Sequence, residues 1–137
     1  ENLDEKIVNK IQEYMQDGCE IFYTMDTHTQ DYLNTREGKQ LPVPHCIVGT
    51  DGWNLYGKTG EILKDGVNAY MLKKITFGCN PFDMTSELFK FNEEVESVEF
   101  VGLVTNMCVI SNVAVFSEYL FWCAGSGTRQ VVAIAKE

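Results

Sequence analysis

Positive charge is scarce in this chain: 11 lysines and arginines stand against 20 aspartates and glutamates, a net charge of −9. Nucleic acid and anionic membranes both need basic protein surface, so neither is an expected partner. Long hydrophobic runs are missing too. None reaches the roughly 18 residues of a membrane-spanning helix, and no cleavable signal is visible, which argues against membrane insertion and secretion and for a cytoplasmic protein. Only two histidines occur, which confines imidazole chemistry to His28 and His45. The five cysteines (Cys19, Cys46, Cys79, Cys108 and Cys123) are odd in number, scattered, and include no CxxC pair. That excludes a disulfide framework and a zinc ribbon, and leaves free thiols in a reducing compartment. The glycines form no phosphate loop, and no dinucleotide fingerprint follows a strand.

What is present is an ordinary folding composition. With 137 residues and 45% apolar side chains the chain suffices for one domain with a core. Residues 4–17 place Ile7, Ile11, Tyr14 and Met15 at helical spacing and stop at Asp17-Gly18. Residues 19–25 read as a buried strand ending at Asp26, and 69–76 as a second strand carrying Lys73 and Lys74 to its end. Between them, 27–59 shows little regular structure, and loops that long inside a domain are usually functional. Asp83 or Thr85 can cap a short helix to about Phe91. Residues 97–104 make the best strand and 107–118 the best helix. In the tail, Tyr119–Trp122 reads as a short strand, Ser126 or Thr128 as a cap, and 129–136 as a final helix, although VVAIA suits a strand equally. This cadence predicts an α/β class, a three-layer α/β/α fold with a mostly parallel sheet.

Chemistry concentrates at two places. In VGLVTNMCVISN (101–112), Cys108 follows a strand and enters a helix, where unpaired amides and the helix dipole favour a thiolate and the amides of 104–108 can receive an oxyanion. A buried small hydrophobe is the competing reading. In 24–46, Asp26, His28, Glu37 and His45 form a mixed nitrogen–oxygen set suited to zinc, iron or manganese; surface histidines beside an acidic loop are its alternative. Lys74 at a strand end beside a thiol would hold it charged. Tyr32, Trp53 and Phe77 can floor a pocket for a flat ring, or belong to the core.

FYTMDTH (22–28), TREGKQLPVPHC (35–46), GTDGW (49–53), KITFG (74–78) and VGLVTNMCVISN, in this order and spacing, resemble the isochorismatase-like cysteine hydrolases, and within them the nicotinamidases. The resemblance runs from about residue 5 to 117. It implies the isochorismatase-like hydrolase fold, and an amidohydrolase that converts nicotinamide, or a similar pyridine carboxamide, to the acid and ammonia. Cys108 matches the nucleophile and Lys74 the lysine of the family's Asp-Lys-Cys triad. Asp26, His28 and His45 match metal ligands, and Glu37 a further ligand in some nicotinamidases. The metal expected first is zinc. A non-proline cis peptide at Leu103–Val104 would aim the amides of Val104 and Cys108 at the oxyanion. A homo-oligomer is an open possibility.

The resemblance also implies parts that are not visible. The family's chains begin with a central strand of a six-stranded parallel sheet, ending in the catalytic aspartate within a pattern like D-x-Q-x-D-F. Its absence would leave a gap in the core, so the chain is expected to be part of a longer protein, with further segments lost around 116–128. Two alternatives to a nicotinamidase stand beside it: another amide hydrolase of the family, and an inactive paralogue serving as an interaction subunit.

Overall fold

The computed structural model describes residues 2–64, 69–80, 97–103, 105–123 and 130–135, with side chains omitted from 118 onward. Helix α1, Leu3–Gln16, starts where the Asn2 side chain accepts the Asp4 amide, with Asp4 and Glu5 on the positive end of the dipole. It ends because Gly18 takes φ +74°: the Gly18 amide then reaches Met15 O at 3.2 Å and the Cys19 amide reaches Tyr14 O at 2.9 Å. This closing motif satisfies the last carbonyls and turns the chain into strand β1, Glu20–Asp26. After β1 come a short helix α2, Arg36–Gln40, helix α3, Gly57–Lys64, and strand β2, Ala69–Lys74. Strand β3 is Ser97–Gly102, helix α4 is Ile110–Cys123, and strand β4 is Gln130–Ala135.

The strands form one parallel sheet in the order β2-β1-β4-β3. Successive residues of β1 feed opposite layers, as the period of two in a strand requires. On one face Ile21 packs with Ile11 and Tyr14 of α1 and Leu63 of α3. On the other, Phe22 packs with Cys79 and Phe116 of α4. Helices thus cover both faces, and the architecture is the predicted three-layer α/β/α fold with parallel strands. None of the described helices is long and apolar enough to cross a membrane.

Two expectations change, and one left open is decided. The run Tyr119–Trp122 is no strand, because α4 continues through it to Cys123; of the two readings of VVAIA, 130–135 takes the strand. The anticipated gap in the sheet is absent among the described residues. Strand β4 lies between β1 and β3, pairing Thr24 with Ala135 on one side and Gly102 with Ala135 on the other. The helix expected near 83–91, and the caps at Ser126 or Thr128, lie outside the described residues.

Candidate active site and metal cluster

Parallel strands bring their carboxyl ends to one edge, and the register of β1 with β2 sets Asp26 directly beside Lys74. The Thr27 amide donates to Lys74 O at 2.8 Å and locks that edge. There the Lys74 Nζ donates to Asp26 Oδ1, to Thr76 O at 3.2 Å and toward Cys108 Sγ at 3.8 Å. Cys108 is supplied by a π-helical turn, Thr105–Val109, that links β3 to α4. All three side chains are buried, the thiol to 1% exposure. Carboxylate, ammonium and thiol therefore form one line away from solvent. An ammonium against a sulfur favours the thiolate, and the carboxylate balances the ammonium that the fold has buried.

Two residues beyond Asp26, His28 enters a different assembly. Its amide donates to Cys46 O at 3.0 Å, and its carbonyl accepts from the Val48 amide at 2.9 Å, a one-residue parallel bridge that draws the 45–48 loop onto the strand end. Cys46 makes the turn at φ +46°, a left-handed conformation uncommon for a side-chain-bearing residue. His45 is thereby carried over His28, with ring centroids 4.9 Å apart. Glu37 arrives from α2, which begins with Thr35 Oγ1 accepting the Gly38 amide at 3.0 Å. Position 38 must be glycine, since a Cβ there would run into the Tyr32 carbonyl. Tyr32, 1% exposed, fixes the loop from within by donating to Leu41 O at 3.1 Å and lies 3.5 Å from Glu37 Oε1.

The result is a cluster of two imidazoles and one carboxylate whose ligand atoms all lie within 4.8 Å of one another. Glu37 Oε1 is 3.8 Å from His28 Nε2 and 3.9 Å from His45 Nε2. Its chemistry fits a divalent metal. His45 Nδ1 contacts Val43 O at 2.8 Å, which places the proton on Nδ1 and leaves the Nε2 lone pair facing the cluster. Burial pushes His28 below its ordinary 6.5, against the opposing pull of Glu37, toward the neutral imidazole that ligation requires. The same burial, reinforced by Glu37, raises Tyr32 and keeps its phenol protonated.

A cavity of about 750 Å³ opens beside the cluster, lined among others by Thr27, His28, Tyr32, Glu37, Phe77 and Met107. Of the aromatic residues expected to floor a pocket, Tyr32 and Phe77 do line it. Trp53 does not: its indole donates to Thr27 Oγ1 at 3.0 Å and carries the Lys73 ammonium 5.3 Å above its ring, bracing the strand end from outside. Cys108 is not among the lining residues, although its neighbour Met107 is. Asp26, expected among the metal ligands, turns to Lys74 and is not part of the cluster of three. Val104, half of the expected oxyanion hole, and the cis peptide assigned to it lie outside the described residues.

Sequence reading missed Asn112. Its buried carboxamide accepts the Cys79 amide at 2.8 Å and donates to Phe77 O at 3.2 Å and Cys108 O at 2.7 Å. The available signal was a lone carboxamide one helical turn after the cysteine, next to Ser111 in a helix segment that is otherwise apolar from Val109 to Phe116.

No family model matches the chain. A Bacillus subtilis (strain 168) protein, described as an uncharacterized isochorismatase family protein, PncA, is 28% identical over 112 residues, 79% of this chain and 60% of that protein. The chain therefore spans about 60% of the length of the curated relative it matches. Among solved structures, nicotinamidase PncA from Bacillus subtilis superposes with a TM-score of 0.67 at 23% identity, covering 95% of this chain and 67% of that one. The pyrazinamidase/nicotinamidase from Streptococcus mutans UA159 gives a TM-score of 0.69 at 20% identity, covering 95% and 68%. The chain is thus similar, at low identity and over part of its relatives' length, to the isochorismatase-like family, and its fold is the one those structures share.

Proposed function

We propose that this protein is a metal-dependent cysteine amidohydrolase that converts nicotinamide to nicotinate and ammonia. The observation that carries the reading is the buried line Asp26–Lys74–Cys108 beginning two residues from the His28–Glu37–His45 cluster, at the carboxyl edge of a parallel sheet. The solved relatives named as nicotinamidases support the choice of substrate. His28, Glu37 and His45 would hold the metal, most simply zinc, which supplies Lewis acidity for the pyridine nitrogen.

The chain's own residues do the rest. Phe77 and Tyr32 offer apolar walls to a flat ring. Lys74 holds Cys108 as thiolate; its sulfur adds to the carboxamide carbon, the leaving nitrogen takes up the proton that the thiol gave up on ionising, and the C–N bond breaks to release ammonia. Water then adds to the thioester, the C–S bond breaks, and nicotinate and the thiol are released. Backbone amides at the start of the helix that carries Cys108 are suited to the negative oxygen of both tetrahedral states.

The 1% exposure of the thiol favours a second reading, an inactive relative that serves as an interaction subunit. Ammonia release from nicotinamide separates the two. The first reading expects turnover that a chelator abolishes, zinc restores and Cys108→Ala removes. Absence of turnover in the zinc-loaded protein would leave the second.

A further inference from the structure

Lys74 and Cys108 come from different elements, β2 and the turn before α4, and something must hold one against the other. Their mutual contact, 3.8 Å from Nζ to Sγ, is too long to do so. The segment after Lys74, residues 75–79, has no strand partner among the described residues, and Ile75 at 73% exposed adds no core anchor. Lys74 itself holds Thr76 O, Cys79 packs against Phe22 and Phe116, and the link from this segment across to the Cys108 turn is Asn112.

The carboxamide of Asn112 is 1% exposed and uses its oxygen and both N–H groups within the protein. Oδ1 takes the Cys79 amide and Nδ2 reaches Phe77 O, so the loop after Lys74 is gripped at two backbone points two residues apart. The second Nδ2 hydrogen goes to the carbonyl of Cys108 itself, at 2.7 Å. That bond runs from a side chain back to the carbonyl four residues earlier, onto the π-helical turn that carries the nucleophile. At the same place Gly78 packs against the backbone of Ser111, where an added Cβ would sit 3.4 Å from the carbonyl oxygen. One side chain thus joins the Lys74 loop to the Cys108 turn by three hydrogen bonds, in a layer closed to water.

We infer that Asn112 is a positioning residue: it fixes the sulfur of Cys108 against the Lys74 ammonium by clamping both backbones, and it touches no substrate. This rests on reading Cys108 as the nucleophile, and not on which amide is hydrolysed.

The test is the pH profile of Cys108 alkylation by iodoacetamide, followed on the Cys108 peptide by mass spectrometry in the zinc-loaded protein. The charged groups facing the sulfur among the described residues are Lys74 and, behind it, Asp26. Wild type should alkylate with a midpoint below that of a free thiol. Asn112→Ala, and Asn112→Ser if the alanine variant does not bind zinc, should move that midpoint upward. They should also lower kcat at least tenfold, with KM changed less than threefold and zinc stoichiometry unchanged. A zinc-binding variant with the wild-type profile and kcat overturns the clamp. Loss of zinc binding in both variants overturns it too, because Asn112 would then belong to the fold at large. An ordinary midpoint in wild type overturns the nucleophile reading instead, and the clamp falls with it.

Discussion

Asp26 and His28 stand two residues apart at the end of β1, yet each belongs to a different construction. Asp26 is still in the strand, its partner Lys74 is its register neighbour on β2, and the pair is buried with Cys108 in the packed end of the sheet. His28 has left the ladder, and its companions Glu37 and His45 are brought by loops that a single bridge, one left-handed residue and the Tyr32 hydroxyl hold in place. One region takes its geometry from the sheet, the other from local turns. The first should be sensitive to charge balance in the interior, the second to loop conformation and ligand identity.

The largest expected effect breaks the first region. Asp26→Asn leaves the Lys74 ammonium buried without its counter-ion, and removing one partner of a buried pair costs about 3–5 kcal/mol. Urea denaturation of the variant should show that loss, while zinc titration should still find one site at His28, Glu37 and His45. Adding Lys74→Met should recover much of the stability, because a flexible apolar chain of similar length replaces the charge, and it should leave the protein without thiol activation. Loss of zinc binding with little loss of stability would instead return Asp26 to the metal ligands and erase the contrast.

Next in size comes a break in the second region. Gly38→Ala drives a methyl group into the Tyr32 carbonyl, and overpacking of this kind costs about 1–3 kcal/mol. Because Tyr32 and α2 position Glu37, zinc affinity should fall together with Tm. Glu37→Gln sharpens the same point with a smaller structural effect. Glu37 is partly exposed, so stability should change by less than about 1 kcal/mol, as at most surface sites. Zinc affinity, measured by competition with a chelating dye, should drop on the order of 10–100-fold, a range found even for residues that only support metal ligands.

How far each region could be read from sequence follows from the same difference. The spacing of Ile7, Ile11 and Tyr14 gave α1, and the strand-then-cysteine pattern placed Cys108 at a helix entry, because both are local patterns. The neighbouring placement of β1 and β2 sets Asp26 beside Lys74, whereas Cys108 reaches Lys74 only through the turn after β3, the strand at the other edge of the sheet. Asp26 and His28 looked like one ligand group because an i, i+2 pair points one way in an extended chain. The register partner that claims Asp26 is 48 residues away and leaves no local trace. Tyr119–Trp122 belongs to α4 and not to a strand; a four-residue apolar run has no period, so nothing in it distinguishes a strand from the last turn of a helix. The seat of β4 between β1 and β3 is a fact about the whole sheet. Asn112 was overlooked because a carboxamide in a helix is ordinarily a surface residue, and only burial shows that it bridges two backbones.

The smallest effect lies away from both regions and tests whether the comparison is complete. Asp4, in the first turn of α1, accepts the Lys58 and Thr59 amides at 2.9 and 3.0 Å and the Thr59 hydroxyl at 2.6 Å, capping α3 from another helix. The Thr59 hydroxyl first, then the two amides, hold its carboxyl below the ordinary 3.8, so the folded protein binds this proton more weakly than the unfolded chain. Its stabilisation is therefore complete above pH 3.8 and is lost as pH falls through the lowered value. Asp4→Asn keeps a carbonyl acceptor but gives up the charge. It should lower Tm slightly at pH 7, and the gap to wild type should close in that acid window. The cap is part-buried and joins α1 to α3, away from both regions, so zinc affinity and the alkylation profile of Cys108 should not move. A change in either would mean that the outer helices, as well as the sheet and the loops, set the geometry of the site.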